Sequence, residues 1–315
     1  MSARHLTEFH GLPVFDFPSA SAAETLPEPG GVAWRLRYDW DDESEQFEQI
    51  WQRFLGAVRT EDVRALVVGA WEEEMFEDTL GPVLQRVVDA RDRFPALRAF
   101  FLADVESEEN EISWIQQVDL APLLTAYPQL AELGARGGHR VFTPVDHGAL
   151  RSLRLESGGL AREVVRGITG SKLPALESLE LWLGVEEYGG DTTVADLAPL
   201  LDGGAFPALR HLGLQDSELQ DEIAAAVATA PVVPSLTSLS LSMGVLTDAG
   251  AESLLGGQSL THLDRLDLHH HFLSDAMMQR LRDTLEPAGV ELDLSDRSTP
   301  SEWGGEQHRY VAVSE

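Results

Sequence analysis

The chain contains no cysteine. That excludes disulfides, thiolate nucleophiles and cysteine zinc sites, and leaves the redox compartment open. There is one lysine, Lys172, and one asparagine, Asn110, so positive charge is almost entirely arginine. With 53 acids against 23 bases the formal net charge is -30. Such a field repels polyanions, and neither nucleic acid nor an anionic membrane is expected as a partner. Also missing is any apolar run of the roughly 18 residues that a bilayer span requires. The opening segment carries His5, Glu8 and His10 where a secretory leader would need an unbroken apolar core. It therefore reads as structure, and the protein as cytoplasmic.

Hydrophobic residues make up 43% of the 315, enough for a large interior. A chain of this length either divides into domains or grows in one direction as a repeat array. A template Leu-x-x-Leu-x-Leu decides for the array. It recurs eight times, with middle apolar residues at Leu66, Phe100, Leu133, Leu153, Leu179, Leu212, Leu239 and Leu266. Most of the spacings fall in the range of roughly 20 to 29 residues typical of leucine-rich repeats, and three are longer. Weaker copies at Val32–Arg37 and Val290–Leu294 bring the array to about ten strands.

Several copies are introduced by an apolar residue and proline, as at Phe94-Pro95, Tyr127-Pro128, Leu173-Pro174, Phe206-Pro207 and Val233-Pro234. Proline there fixes a bend that cannot pair within a strand. Between the strands, Phe47, Ile50, Trp51, Phe54, Leu55 and Val58 recur at helical steps, as do Met277, Met278, Leu281 and Leu285. Thr247-Asp248 and Ser274-Asp275 supply helix N-caps. The alternation predicts an α/β leucine-rich-repeat solenoid, a horseshoe with a concave parallel sheet and convex helices. Residues 32–294 form the repeat domain, 1–31 an N-terminal cap and 295–315 a C-terminal tail or cap. Arg309–Val313 alternates like a short strand that could cover the last edge.

The segment from Leu246 to Leu255, Leu-Thr-Asp-Ala-Gly-Ala-Glu-Ser-Leu-Leu, resembles the ribonuclease-inhibitor-like subclass of leucine-rich repeats. Taken nearly whole, from Leu6–Pro18 to Arg309–Glu315, the chain is similar to a family of bacterial leucine-rich-repeat proteins to which no activity is attached. That resemblance implies a cytoplasmic protein. It also implies, through neighbouring genes for radical and ATP-grasp enzymes, a place beside peptide-modifying enzymes. Typical repeats carry asparagine at the strand-to-loop bend, where its amide satisfies backbone groups. Here the bend positions hold Gly158, Gly184, Ser217, Gly244 and His271. Without an asparagine ladder the bends are expected to rely on glycine backbone freedom and water.

In this geometry the residues flanking the repeat leucines point out of the concave face. Arg35, Val67, Phe101, Arg136, Arg154, Glu180, Trp182, Gln215, Asp267 and His269 fall there. A mixed polar face with aromatics suits a protein or peptide, with Trp182 and the arginines as anchors. Acids also cluster just after the strands: Asp39, Asp41, Asp42 and Glu43, then Glu72, Glu73 and Glu74, then Asp104 and Glu106. Trp40, Trp71 and Trp114 are interleaved with them. Stacked repeats would align these clusters into an acidic rim that receives a basic partner. The competing explanation is a set of solvated loops that keep an acidic protein soluble.

The run His269-His270-His271, flanked by Asp267 and Asp275, is the place to look for a metal. His269 and His271 would supply the ligands, yet adjacent histidines diverge at a strand end, and His271 stands where the bend asparagine would. Structural hydrogen bonding is the expected role, and no metal or other cofactor is assigned. The signatures of phosphate loops, nucleophile elbows, zincins and dinucleotide folds are absent. The sequence thus points to a non-catalytic scaffold that binds a protein or peptide. Its alternatives are an accessory that presents a peptide to a modifying enzyme and a metal-dependent enzyme at the histidine run.

Overall fold

A computed structural model describes residues 4–22, 24–38, 45–72 and 80–315. Strands β1 (Glu8–Phe9) and β2 (Leu12–Asp16) form a hairpin at the start. Then follow β3 (Ala33–Leu36), β4 (Ala65–Val68), β5 (Ala99–Leu102) and β6 (Glu132–Arg136). The array continues with β7 (Ser152–Glu156), β8 (Ser178–Gly184) and β9 (His211–Ser217). It closes with β10 (Ser238–Ser240), β11 (Arg265–Asp267) and β12 (Glu291–Asp293). These twelve strands make one open sheet whose spatial order is the chain order, parallel throughout except between β1 and β2. A detached hairpin, β13 (Ser301–Trp303) with β14 (Glu306–His308), lies beyond it.

The strand register follows the repeat. Trp34, Leu66, Phe100, Leu133 and Leu153 pair in sequence, then Leu179, Leu212, Leu239, Leu266 and Leu292. From Trp34 to Leu266 every member of that line is fully buried. All ten strands expected between residues 32 and 294 are present. Five of them, β5, β6, β8, β9 and β10, are preceded by a turn in which Leu97, Leu130, Leu176, Leu209 and Leu236 donate back to Phe94, Tyr127, Leu173, Phe206 and Val233 at 2.9–3.1 Å. Proline in second place of such a turn has its φ already set and no N–H to lose.

Eight α-helices among the described residues connect the strands and cover one face. Along α1 (Phe47–Ala57), Phe47, Ile50, Trp51 and Phe54 face the sheet, and Phe17, Trp34, Phe54 and Phe94 form an aromatic cluster there. The last of the eight, Asp275–Leu285, buries Met277, Leu281 and Leu285 and is capped by Ser274 Oγ, which accepts from Met277 N at 3.2 Å. Helices flank helices and strands flank strands in chain order, so each unit buries its apolar side against its neighbours.

The bends are built differently from the expectation. Only Gly184 of the three bend glycines has positive φ (67°). The left-handed positions in the later repeats are Asp216 (56°), Met243 (69°) and His270 (53°), each one residue earlier. Side chains also replace the missing asparagine: His271 Nδ1 accepts from Leu273 N, its Nε2 donates to Leu294 O, and Gln220 Nε2 donates to Leu214 O. Strained non-glycine backbone persists at these positions because buried hydrogen bonds over-determine it.

Both chain ends depart from simple edge caps. Strand β2 does pair with β3, but residues before it turn across the open face of the sheet. At the other end Arg309–Val313 is not a strand. It runs back over the ends of β9 and β10, where Ala312 N donates to Met243 O (2.7 Å) and Val313 N to Asp216 Oδ1 (3.0 Å). Both its valines are buried, and Val313 packs with Met243 and Trp182 rather than against a partner strand.

Candidate functional site

The face of the sheet turned away from the helices is occupied at one end. Ala33, Ala65 and Ala99 stand in register on β3, β4 and β5, and these small side chains leave room for Leu6, Phe9, Leu12 and Val14. Phe9 meets Phe101 edge to face at 5.9 Å. Gly134 on β6 is required here, since a Cβ would lie 2.3 Å from the Phe101 ring. Val67 and Phe101, expected to be available to a partner, are therefore covered by the chain's own N-terminal segment.

Ion pairs fasten that segment. Asp104, fully buried, accepts from Leu6 N (3.1 Å) and from Arg35 Nη1 (2.9 Å), with His5 at 3.6 Å. Burial pushes its carboxyl up, but His5, Arg136 and Arg35 outweigh this and hold it below the ordinary range. Arg136, 2% exposed, donates to Glu156 (2.6 Å) and to Arg4 O (3.0 Å). From Glu156 the chain of charges passes to Arg154 (2.6 Å), to Glu180 (3.3 Å) and to His211 (3.0 Å). Glu180 is likewise depressed: His211 and Arg154 outweigh the rise from burial. Removing one partner of the buried pair Arg136 and Glu156 costs about 3–5 kcal/mol, because the other charge is left uncompensated.

Beyond the covered end the face opens into a cleft. A cavity of about 560 Å³ lies between Arg4 and Leu6 of the N-terminal segment and Val313 of the C-terminal tail, with Arg154, Glu180 and Trp182 among its lining. An adjoining cavity of about 400 Å³ shares Leu6, Arg154 and Glu180 and is lined further by Glu8, His10, Glu132 and Ser178. The Arg154 guanidinium sits 5.7 Å from the Trp182 ring centroid, and His10 Nδ1 is 2.9 Å from Glu132. The lining is thus mixed: an apolar corner of Trp182, Met243 and Val313, and acids at the opposite end.

Of the residues singled out from sequence, Phe101, Arg136, Arg154, Glu180, Trp182, Gln215 and His269 line this cleft, and Asp267 holds the His269 ring at 2.8 Å. The acidic rim does not assemble as expected from its third cluster. Asp104 and Glu106 turn inward, Glu106 Oε1 accepting from His5 N at 3.0 Å. Trp71, 4% exposed, packs in the core and offers nothing to a partner, whereas Trp114 is 57% exposed. Glu72 is partly buried. Asp39, Trp40, Asp41, Asp42, Glu43, Glu73 and Glu74 lie outside the described residues. His271 is buried with both ring nitrogens used by backbone groups, so it is not available as a metal ligand. Sequence reasoning missed Arg4, Leu6, Met243 and Val313 as cleft residues. For Leu6 and Val313 the only signal was the apolar alternation of the two ends, which does not say where an end will lie.

No protein-family profile matches the chain, and no curated protein matches it. Among solved structures it is similar to a protein from Bacteroides fragilis, a structural-genomics target whose crystal structure superposes with a TM-score of 0.77. The two are 32% identical over 84% of this chain and 74% of the other.

Proposed function

The chain belongs to the family of that Bacteroides fragilis protein, and from this premise we propose that it is a cytoplasmic leucine-rich-repeat solenoid that holds a protein or peptide and catalyses no reaction. The continuous cleft between the two chain ends is the observation that carries this reading. Its two cavities share Leu6, Arg154 and Glu180, so an extended segment could run through both. An ordered floor favours binding, since side chains already fixed by ion pairs lose little entropy when a partner arrives. Trp182, Met243 and Val313 would receive an apolar side chain. Glu8, Glu132 and Glu180 would receive basic ones, in keeping with the overall negative field.

Panning a displayed library of unstructured peptides against the full chain tests this. The enriched peptides are expected to combine arginine or lysine with an apolar residue. Their affinity should fall at least tenfold in Trp182→Ala and in Glu180→Lys, and stay unchanged in Gln279→Lys on the helical side. Peptides that bind both cleft variants as they bind the wild type would overturn the proposal.

A further inference from the structure

Strands β11 and β12 pair with Asp267 directly opposite Asp293. In a parallel pair, residues in register project from the same face, so two carboxylates stand side by side, an arrangement that is unfavourable without a compensating cation. His269 follows Asp267 by two residues and brings its ring to the same place. One donor atom from each of the three lies within 4.8 Å of the other two, and all three are partly buried. The two carboxylates are partly compensated: Asp267 Oδ1 accepts from His269 N at 3.0 Å and shares a hydrogen bond with His269 Nδ1 at 2.8 Å, Asp293 Oδ1 accepts from Ser295 N and Oγ at 3.0 and 2.7 Å, and Arg265 Nη2 is 3.6 Å from Asp293.

The geometry points to a binding site for one divalent transition-metal cation, held by Asp267, His269 and Asp293 at the edge of the cleft. One imidazole nitrogen with two carboxylate oxygens suits manganese, iron, cobalt, nickel or zinc better than calcium, which prefers six to eight oxygens. A cation would take the place of the hydrogen between His269 and Asp267 and neutralise the facing carboxylates. Three protein ligands leave coordination positions open, and His269 lines the cleft. The neighbouring histidines do not compete, because His270 Nε2 is bonded to Tyr310 O (3.0 Å) and His271 is committed to backbone.

The test is titration of the full, chelator-stripped chain with Co²⁺, followed by visible absorption and calorimetry. One cobalt per chain is expected, with affinity reduced at least tenfold in His269→Gln and in Asp293→Asn and unchanged in His270→Gln. Melting each variant in chelator establishes that it is folded, and Asp293, at the last strand of the sheet, is the substitution that disturbs packing least. Absence of stoichiometric uptake, uptake unaffected by both His269→Gln and Asp293→Asn, or loss of uptake in His270→Gln would each overturn the site. None of these results bears on peptide binding in the cleft.

Discussion

At His5 two opposing effects meet. Burial alone would lower the pKa of the imidazole, but Asp104 and Glu109 on either side, the latter at 3.3 Å, raise it to about 9. A base whose folded pKa exceeds its unfolded value near 6.5 adds stability that is fully present below pH 6.5 and disappears as pH rises through 9. The rise is worth at most about 3 kcal/mol. His5→Gln should therefore lower the melting temperature by several degrees at pH 6, and the gap to wild type should close by pH 9.5. A gap that stays constant over that range would mean that His5 acts through packing and not through charge. The same residues show why a loop acid can be a structural group. Asp104 differs from a solvated acid in that it is fully buried and that His5, Arg136 on strand β6 and Arg35 on strand β3 converge on it.

The C-terminal tail is an element with few bonds and a large effect on the cleft. Its buried contacts are Val311 and Val313, the latter against Trp182 and Met243, together with the hydrogen bond to Asp216, whose carboxyl burial pushes well above the ordinary range. It pairs with none of the twelve strands of the sheet. Truncation after His308 should keep the far-ultraviolet circular dichroism of the sheet and helices while exposing Met243 and Trp182 to an apolar fluorescent dye. Loss of the whole sheet signal on truncation would instead make the tail a folding element. The N-terminal segment is bound more firmly, through Phe9 on Phe101 and the ion pairs of Asp104 and Arg136, so the two walls of the cleft differ in how readily they move.

Across the whole molecule the negative charge acts against compactness, since the chain carries 53 acids against 23 bases. Screening shortens that repulsion to about 10 Å at 0.1 M salt. The melting temperature is expected to rise between 10 and 300 mM sodium chloride, whereas a fall would show that the attractive pairs outweigh the net repulsion. Serial architecture also localises failure, because each unit touches mainly its neighbours. Hydrogen exchange should be slowest at β6 to β9, where strands are longest and both flanks are covered, and fastest at β12.

The repeat was legible from the amino acids alone because its signals are local. A leucine register of period two, an apolar residue and proline before it, and a capped helix after it placed Leu66, Leu179 and Leu239 in strands without reference to distant residues. The cleft required contacts between residues far apart in the chain: Leu6 with Asp104, Arg4 with Arg136, Val313 with Asp216. No periodicity encodes such meetings. They arise because small residues at Ala33, Ala65 and Ala99 leave space on one part of the sheet, and because charges there need partners that the chain's own ends supply. The facing pair Asp267 and Asp293 belongs to the same class, since their opposition depends on strand register between repeats.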